Sequence, residues 1–445
     1  MTTATTGLSD RRVWRLAFPV ILSNLSVPLM GAVDTAVMGH LPDPAYIGGV
    51  AVGALIFSYI YWGFGFLRMG TTGLVAQANG ARDQGEMRAL FLRGLLVAGT
   101  IGALVIALQG PIAALALALV QGSPKVEGLA RRYYDVRVWS APAALMQYVV
   151  IGWLFGVQRM AAALALIVFA NALNMAVALW FVLGLGWGIE GVAGATLIAE
   201  WSAALLGLAL VGRRIARAPA GAARIFDGER LLRMMRINGD IFLRTLCLVT
   251  AFAWFTSQGA RLGDVLLAAN AVLLNFQTFM AYGLDGFAHA AEALVGSAIG
   301  ARDRAAFRDA VQTSTKWAAL IALGFAAVYL VAGGALVRTL TGIETVRGAA
   351  AGFLPWAVAS PLVSVWSFQL DGIFIGATRT AEMRNGMIVS LAGFLALSAA
   401  LVPLWSNHGL WLAFLAFMAL RALTLAVYLP RLYRALPVAV ANPIS

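Results

Sequence analysis

The sequence predicts an all-α polytopic membrane protein with twelve transmembrane helices in two six-helix lobes. Three observations lead there. Of 445 residues, 61% are hydrophobic and 12% charged, with a mean hydropathy of +0.83, too little charge to cover a soluble protein of this length. Apolar runs of membrane-spanning length follow one another from end to end, with no water-soluble domain between them. Two stretches of the first half also recur in the second at one common offset.

The spans begin near residues 13, 46, 88, 128, 160, 190, 232, 264, 310, 346, 383 and 408. Met1 to Arg12 is short and polar, and the run after it is too long for a signal-peptide core. With the amino terminus in the cytoplasm, 22 of the 32 Lys and Arg fall in cytoplasmic segments and 7 in outside loops. Arg68, Arg244 and Arg421 remain within spans. This positive-inside bias puts both termini in the cytoplasm. The net charge of +12 therefore addresses the inner membrane face, and no nucleic acid is expected as a partner. A lone cysteine, Cys247, excludes both a disulfide framework and a Cys-rich metal site.

The richest arginine cluster, Gly212 to Arg236, is the one long polar interruption and divides the spans six and six. Small residues, Pro and Gly at Ala218 to Ala223 suit a connecting loop. The expected organisation is thus an amino-terminal lobe at 1–212, a cytoplasmic linker at 213–231 and a carboxy-terminal lobe at 232–445. "GLVAQANGARDQ" at Gly73 to Gln84 recurs as "ALVGSAIGARDR" at Ala293 to Arg304, with seven of twelve positions identical. "VIGWLFGVQR" at Val150 to Arg159 matches "LDGIFIGATR" at Leu370 to Arg379 in the same register, 220 residues on. A shift of six spans preserves orientation, so the halves are parallel repeats, a plan that places transport sites between or within lobes. No G-x-x-x-x-G-K-[ST] loop is present and neither lysine, Lys125 or Lys316, follows one. Nucleotide hydrolysis is not encoded, and no nucleophile–base pair or metal motif suggests an enzyme. A transporter of this kind couples to an ion gradient or is passive.

Polar residues inside the spans carry the candidate chemistry. Asp34 lies 19 residues beyond Arg15, roughly 28 Å along a helix, in the outer part of the first span. Pro28, six residues earlier, removes a backbone hydrogen bond and favours a bend. Burial favours the neutral acid at Asp34 and a bound cation favours the carboxylate, while Arg68 in the second span offers a salt bridge instead. Asn171 and Asn174 sit one turn apart in the fifth span, and Thr196 and Glu200 share i, i+4 spacing in the sixth. These oxygens suit a hard cation such as sodium, although Asn and Thr also serve as interhelical hydrogen bonds in lipid. In the eighth span Asp285, His289 and Glu292 follow i, i+4, i+7 along one face, and Asp371 in the tenth takes the position of Ile151. Such a stripe could relay protons, line a hydrophilic cavity, or be neutralised by Arg244.

The segments "FPVILSNLSVPLMGAVDTAVMGHL", "GFLRMGTTGLVAQANGARD", "RTLCLVTAFAWFTSQGARLGDVLLAANAVLLNF", "YGLDGFAHAAEALVG" and "DGIFIGATRTAEMRNGM" together resemble the multidrug and toxic compound extrusion (MATE) family, and within it the DNA-damage-inducible protein F branch. The resemblance spans about Arg12 to Arg434. It implies a V-shaped pair of lobes and a monomer in the bacterial cytoplasmic membrane. It also implies antiport of protons or sodium against small amphipathic organic cations, with no cofactor. Its ion site joins an aspartate on the first helix, an asparagine and an aspartate on the fifth and a threonine on the sixth. Asp34, Asn174 and Thr196 match three of these, whereas "NALNMAVA" ends in Ala178 where the fifth-helix aspartate would stand. Losing one of two carboxylates weakens a sodium site, so protons are favoured, with Glu200 as a compensating acid. Two alternatives remain open: a lipid or lipid-linked saccharide flippase of a related two-lobe family, and a non-transporting receptor or scaffold.

Overall fold

Helix dominates the computed structural model, which describes residues 10–39, 43, 45–120, 123–216 and 222–437. Several side chains within the first helix, Asp34 among them, lie outside the described set. The linker residues 217–221 do as well.

Ten stretches are long and apolar enough to cross a bilayer. We number the spans α1 (Asp10–Gly39), α2 (Ala45–Gly80), α3 (Gln84–Ala107), α4 (Pro124–Gly156), α5 (Met160–Gly184), α6 (Gly188–Ile215), α7 (Gly228–Arg261), α8 (Asp264–Gly300), α9 (Arg304–Leu340), α10 (Glu344–Gly376), α11 (380–405) and α12 (407–426). The last two run on as one stretch but break at Ser406, whose φ of 51° and ψ of −130° are not helical. Its 47 residues would otherwise extend about 70 Å, more than twice the hydrocarbon thickness. With α1 the count is twelve, as the hydropathy pattern predicts. Large apolar side chains point outward along these helices, Val331 being 87% exposed, which is the signature of a surface made for lipid.

The chain forms two compact units. Of the described residues, those in Leu22–Met235 make one, called here the amino-terminal unit. Those in Met1–Ile21 and Arg236–Ser445 make the other, the carboxy-terminal unit. The beginning of α1 is tied into the latter: Lys316 Nζ donates to Asp10 Oδ1 at 2.8 Å, and Trp14 meets Phe287 and Trp317 edge-on, each at 5.2 Å.

The repeat seen in sequence returns as geometry. Asp83 caps α3 by accepting from the Glu86 amide at 2.9 Å, and Asp303 caps α9 by accepting from the Ala306 amide at 2.9 Å. The arginines just before them, Arg82 and Arg302, have φ of 57° and 54°, and Gln158 and Thr378 have 59° and 53°. Helices cross closely at Gly152, where a Cβ would lie 2.5 Å from the Arg68 carbonyl oxygen. At Gly372 it would lie 2.2 Å from that of Ala288. All four pairs keep the 220-residue offset.

Three irregularities position polar groups. α4 passes through a 3-10 turn at Val138–Ser140, immediately before Pro142, whose missing N–H cannot continue the ladder. α5 ends in a π-helical turn at Trp180–Gly184. The linker is held by ion pairs, Arg224 Nη1 to Asp83 at 2.9 Å and Arg230 to Glu86, while Glu86 also takes Arg93 at 2.6 Å.

Candidate ion and substrate site

In the amino-terminal unit, α5 and α6 face each other through one polar contact. Asn174 Nδ2 donates to Thr196 Oγ1 at 2.8 Å, and that hydroxyl donates to the Val192 carbonyl at 3.1 Å. Both residues are buried, 2% and 5% exposed, and Asn174 Oδ1 has no partner among the described residues. Ala178, one turn further along α5, is fully buried and brings no oxygen. Asn171 reaches α1 instead, donating to Ser26 Oγ at 2.8 Å. The site implied by the resemblance therefore has its α5–α6 half assembled, and α1 is tied to α5 two turns before Asp34. Arg68 lies 5.7 Å from the Phe155 ring centre, and its carbonyl accepts from Thr72 at 2.9 Å.

Glu200 belongs to a different group. Its carboxylate lies 3.5 Å from Arg137 Nη2, on α4. Arg137 in turn donates to the Tyr133 hydroxyl at 2.8 Å and stands over the Phe57 ring at 4.8 Å. Sequence reasoning counted Arg137 with the outside loop because three other basic residues precede it within twelve positions. The signal for its burial was local: Tyr133 and Tyr134 just before it and Pro142 just after.

In the carboxy-terminal unit, Asp371 on α10 accepts from Arg421 on α12 at 2.7 Å and from Arg244 on α7, both bonds reaching Oδ2. Arg421 stands 5.7 Å from the Phe417 ring and 5.9 Å from that of Phe368. The carboxylate that Arg244 pairs with is thus Asp371 on α10. On the α8 stripe His289 Nδ1 lies 3.1 Å from Glu292 Oε2, with Glu292 fully buried, and Asp285 acts on Arg421 through its charge. Asp371 is 8% exposed, and two guanidinium groups answer its one charge. Such a carboxylate is directionally satisfied by two charge-assisted hydrogen bonds, a poor place for a cation to bind. Among the described residues no three His, Cys, Asp or Glu approach as a metal centre requires.

The sequence model of the MatE family matches residues 19–180 and 241–404, once in each repeat. The chain belongs to the MatE family. DNA damage-inducible protein F of Escherichia coli is 45% identical over 434 residues, covering 96% of this chain and 93% of that one. A probable multidrug resistance protein NorM of Caulobacter vibrioides is 30% identical, over 70% of this chain and 66% of its own. The fold agrees with a crystal structure of MATE in the bent conformation, at a TM-score of 0.87 and 19% identity over 96% of both chains. A second fold neighbour, at a TM-score of 0.83 and 17% identity over 96% of both chains, is a MOP superfamily transporter of Pyrococcus furiosus, for which reverse polarity of the binding pocket suggests a different function. This MatE chain is accordingly a multi-pass membrane protein of a transporter family whose members use ion gradients and need no cofactor. Against the pattern that the resemblance implies, the chain departs at Ala178 on α5.

Proposed function

We propose that the protein is a secondary active exporter of small amphipathic organic cations, driven by protons entering in exchange. The observation that carries this reading is Asn174 Oδ1, without a partner among the described residues, in the buried Asn174–Thr196 pair one turn from Ala178. A buried acceptor without a donor is unfavourable, by about 1–3 kcal/mol. A protonated carboxylic acid supplies that donor and an ionised carboxylate does not. Asp34 is the acid assigned to this role, so the amide favours its neutral form. Sodium would need more oxygen ligands and more negative charge than one carboxylate beside an amide and a hydroxyl supply.

In this cycle, protonation of Asp34 and binding of the organic cation compete, and each state favours a different shape of the α1 helix, bent near Pro28. The coupling ion is itself a substrate. We place the protein in the bacterial cytoplasmic membrane as a monomer with both termini inside, consistent with the basic linker and its ion pairs. A flippase reading draws no support from the buried arginines, because Arg93, Arg137, Arg244 and Arg421 each face a carboxylate. The test is transport of a fluorescent lipophilic cation in proteoliposomes under an imposed pH or sodium gradient. Uptake should follow the pH gradient and vanish in Asp34→Asn. Sodium-driven uptake indifferent to pH, or full transport by Asp34→Asn, would overturn the proposal.

A further inference from the structure

The Arg137–Glu200 pair lies apart from the Asn174–Thr196 contact, yet the two share α6: Glu200 sits one helical turn beyond Thr196 on the same face. Its geometry is not that of a permanent buried salt bridge. Contact is through one Arg137 nitrogen at 3.5 Å, and both Glu200 Oε2 and Arg137 Nε are buried without a partner among the described residues. Structural pairs in low dielectric survive by bidentate geometry and by satisfying the remaining lone pairs and protons. In the carboxy-terminal unit, Asp371 draws two arginines into contact. Glu200 has one arginine at long range.

The surroundings of the pair are those of a hinge. Arg137 ends the first helical part of α4, and the 3-10 turn Val138–Ser140 follows at once. Ser140 Oγ donates to the Arg137 carbonyl at 2.8 Å, filling a place that the interrupted ladder leaves open. The same hydroxyl lies 3.5 Å from the Tyr61 hydroxyl and beside the Glu200 carboxylate. Glu200 is therefore faced by Arg137 and Ser140 of α4, by Tyr61 of α2 and by Tyr148 also of α4, with Arg68 of α2 beyond Tyr148. Arg137 is the one permanent cation in direct contact with it, and the hinge of α4 is the element it touches.

We propose that Glu200 is a second proton-binding site of the amino-terminal unit, and that its protonation loosens the hold of α6 on the α4 hinge. Taking one proton from water converts the carboxylate to the neutral acid and ends its attraction for Arg137. The guanidinium keeps its charge and its two other contacts, Tyr133 one turn back on α4 and the Phe57 ring on α2. The ion-pair tie between α4 and α6 then disappears and leaves the hinge on the hydrogen bond from Trp201 Nε1 of α6 to the Trp139 carbonyl, at 3.1 Å, while α4 stays joined to α2. Losing the proton restores the tie. Because Glu200 and Thr196 share one rigid helix, this step communicates with the site around Asn174. The inference rests on the proton-coupled reading above, and it adds a second proton to the cycle.

Proton release from the purified protein on addition of tetraphenylphosphonium, followed in weakly buffered detergent solution, reads this directly. Linkage requires that release and binding report the same coupling. Glu200→Gln should lower the number of protons released by about half, and Glu200→Asp should restore it. Arg137→Gln should keep the number and move the midpoint of one release step to higher pH, since the carboxylate loses its cation. That variant retains the titrating group and serves if Glu200→Gln does not fold. Wild-type proton numbers in Glu200→Gln, or an unmoved midpoint in Arg137→Gln, would overturn the proposal. Failure of the parent reading is distinguishable, because it shows as unchanged release in Asp34→Asn.

Discussion

Asn174 hands an N–H to Thr196 at 2.8 Å while its own carbonyl oxygen is buried and, among the described residues, unanswered. This asymmetry sets the amide apart from an interhelical hydrogen bond in which both ends are used. It also makes the missing carboxylate at Ala178 experimentally useful.

Replacing Ala178 by Asp supplies the second acid that the family pattern expects. Ala178 is fully buried, so the new carboxylate is unfavourable without a counter-ion. The expected outcome is a lower melting temperature in sodium-free buffer, recovery on adding sodium, and transport newly stimulated by a sodium gradient. Thermal melts at graded sodium concentration check it, and sodium-independent melting counts against it.

Asp371 should behave as a structural anchor. Asp371→Asn leaves two buried guanidinium groups without their carboxylate, which costs about 3–5 kcal/mol. Arg421→Met leaves a one-to-one Arg244–Asp371 pair and costs less. A double-mutant cycle on unfolding in detergent should show coupling between Asp371 and Arg421 of about 1 kcal/mol or more. Equal losses from the two single variants would contradict this arrangement.

The close helix crossings predict where small residues are required. Gly372→Ala puts a methyl 2.2 Å from the Ala288 carbonyl oxygen, and Gly152→Ala puts one 2.5 Å from that of Arg68. Backbone cannot swing away as a side chain can, so each should destabilise by about 1–3 kcal/mol. Gly348→Ala, with nothing within 4 Å of the added carbon, is the control and should be neutral or slightly stabilising.

Asp83 predicts a pH dependence at the start of α3. The Glu86 amide above all holds its carboxyl below the usual carboxylate range; burial opposes it, and Arg224 and then Arg230 add to the lowering. A lowered folded-state value means that the stabilisation is complete above the unfolded value, near 4, and is lost as pH falls through the folded one. Asp83→Ala should therefore lose about 1 kcal/mol of cap energy at neutral pH. Melting curves of the two proteins should converge as the pH drops well below 4. A constant gap down to the most acidic condition would refute the assignment.

Much of the fold was legible beforehand. The span starts near 46, 160, 264 and 383 fall within three residues of the observed helix starts, because hydrocarbon thickness and the apolar requirement leave little freedom. The cap at Asp83 and its repeat at Asp303 were visible as a shared motif. Charge placement was less legible. Arg137, beside three other basic residues, counts as loop by composition, and only the packing of α4 on α2 and α6 reveals it as part of the helix contact, with its side chain 13% exposed.

By itself, the sequence determined the class of molecule, the number of helices and the internal repeat. These follow from periodicity, length and motif, which are local or repeat at fixed offset. Tertiary structure decided which charges answer one another: Asp371 with Arg244 and Arg421, Glu200 with Arg137, Asn174 with Thr196. Those partners stand 22 to 127 residues apart, and only the packing of helices brings them within hydrogen-bonding or ion-pairing reach. Inside a membrane, where an unpaired charge is so unfavourable, that choice of partners separates an acid held by two arginines from one that faces a single arginine.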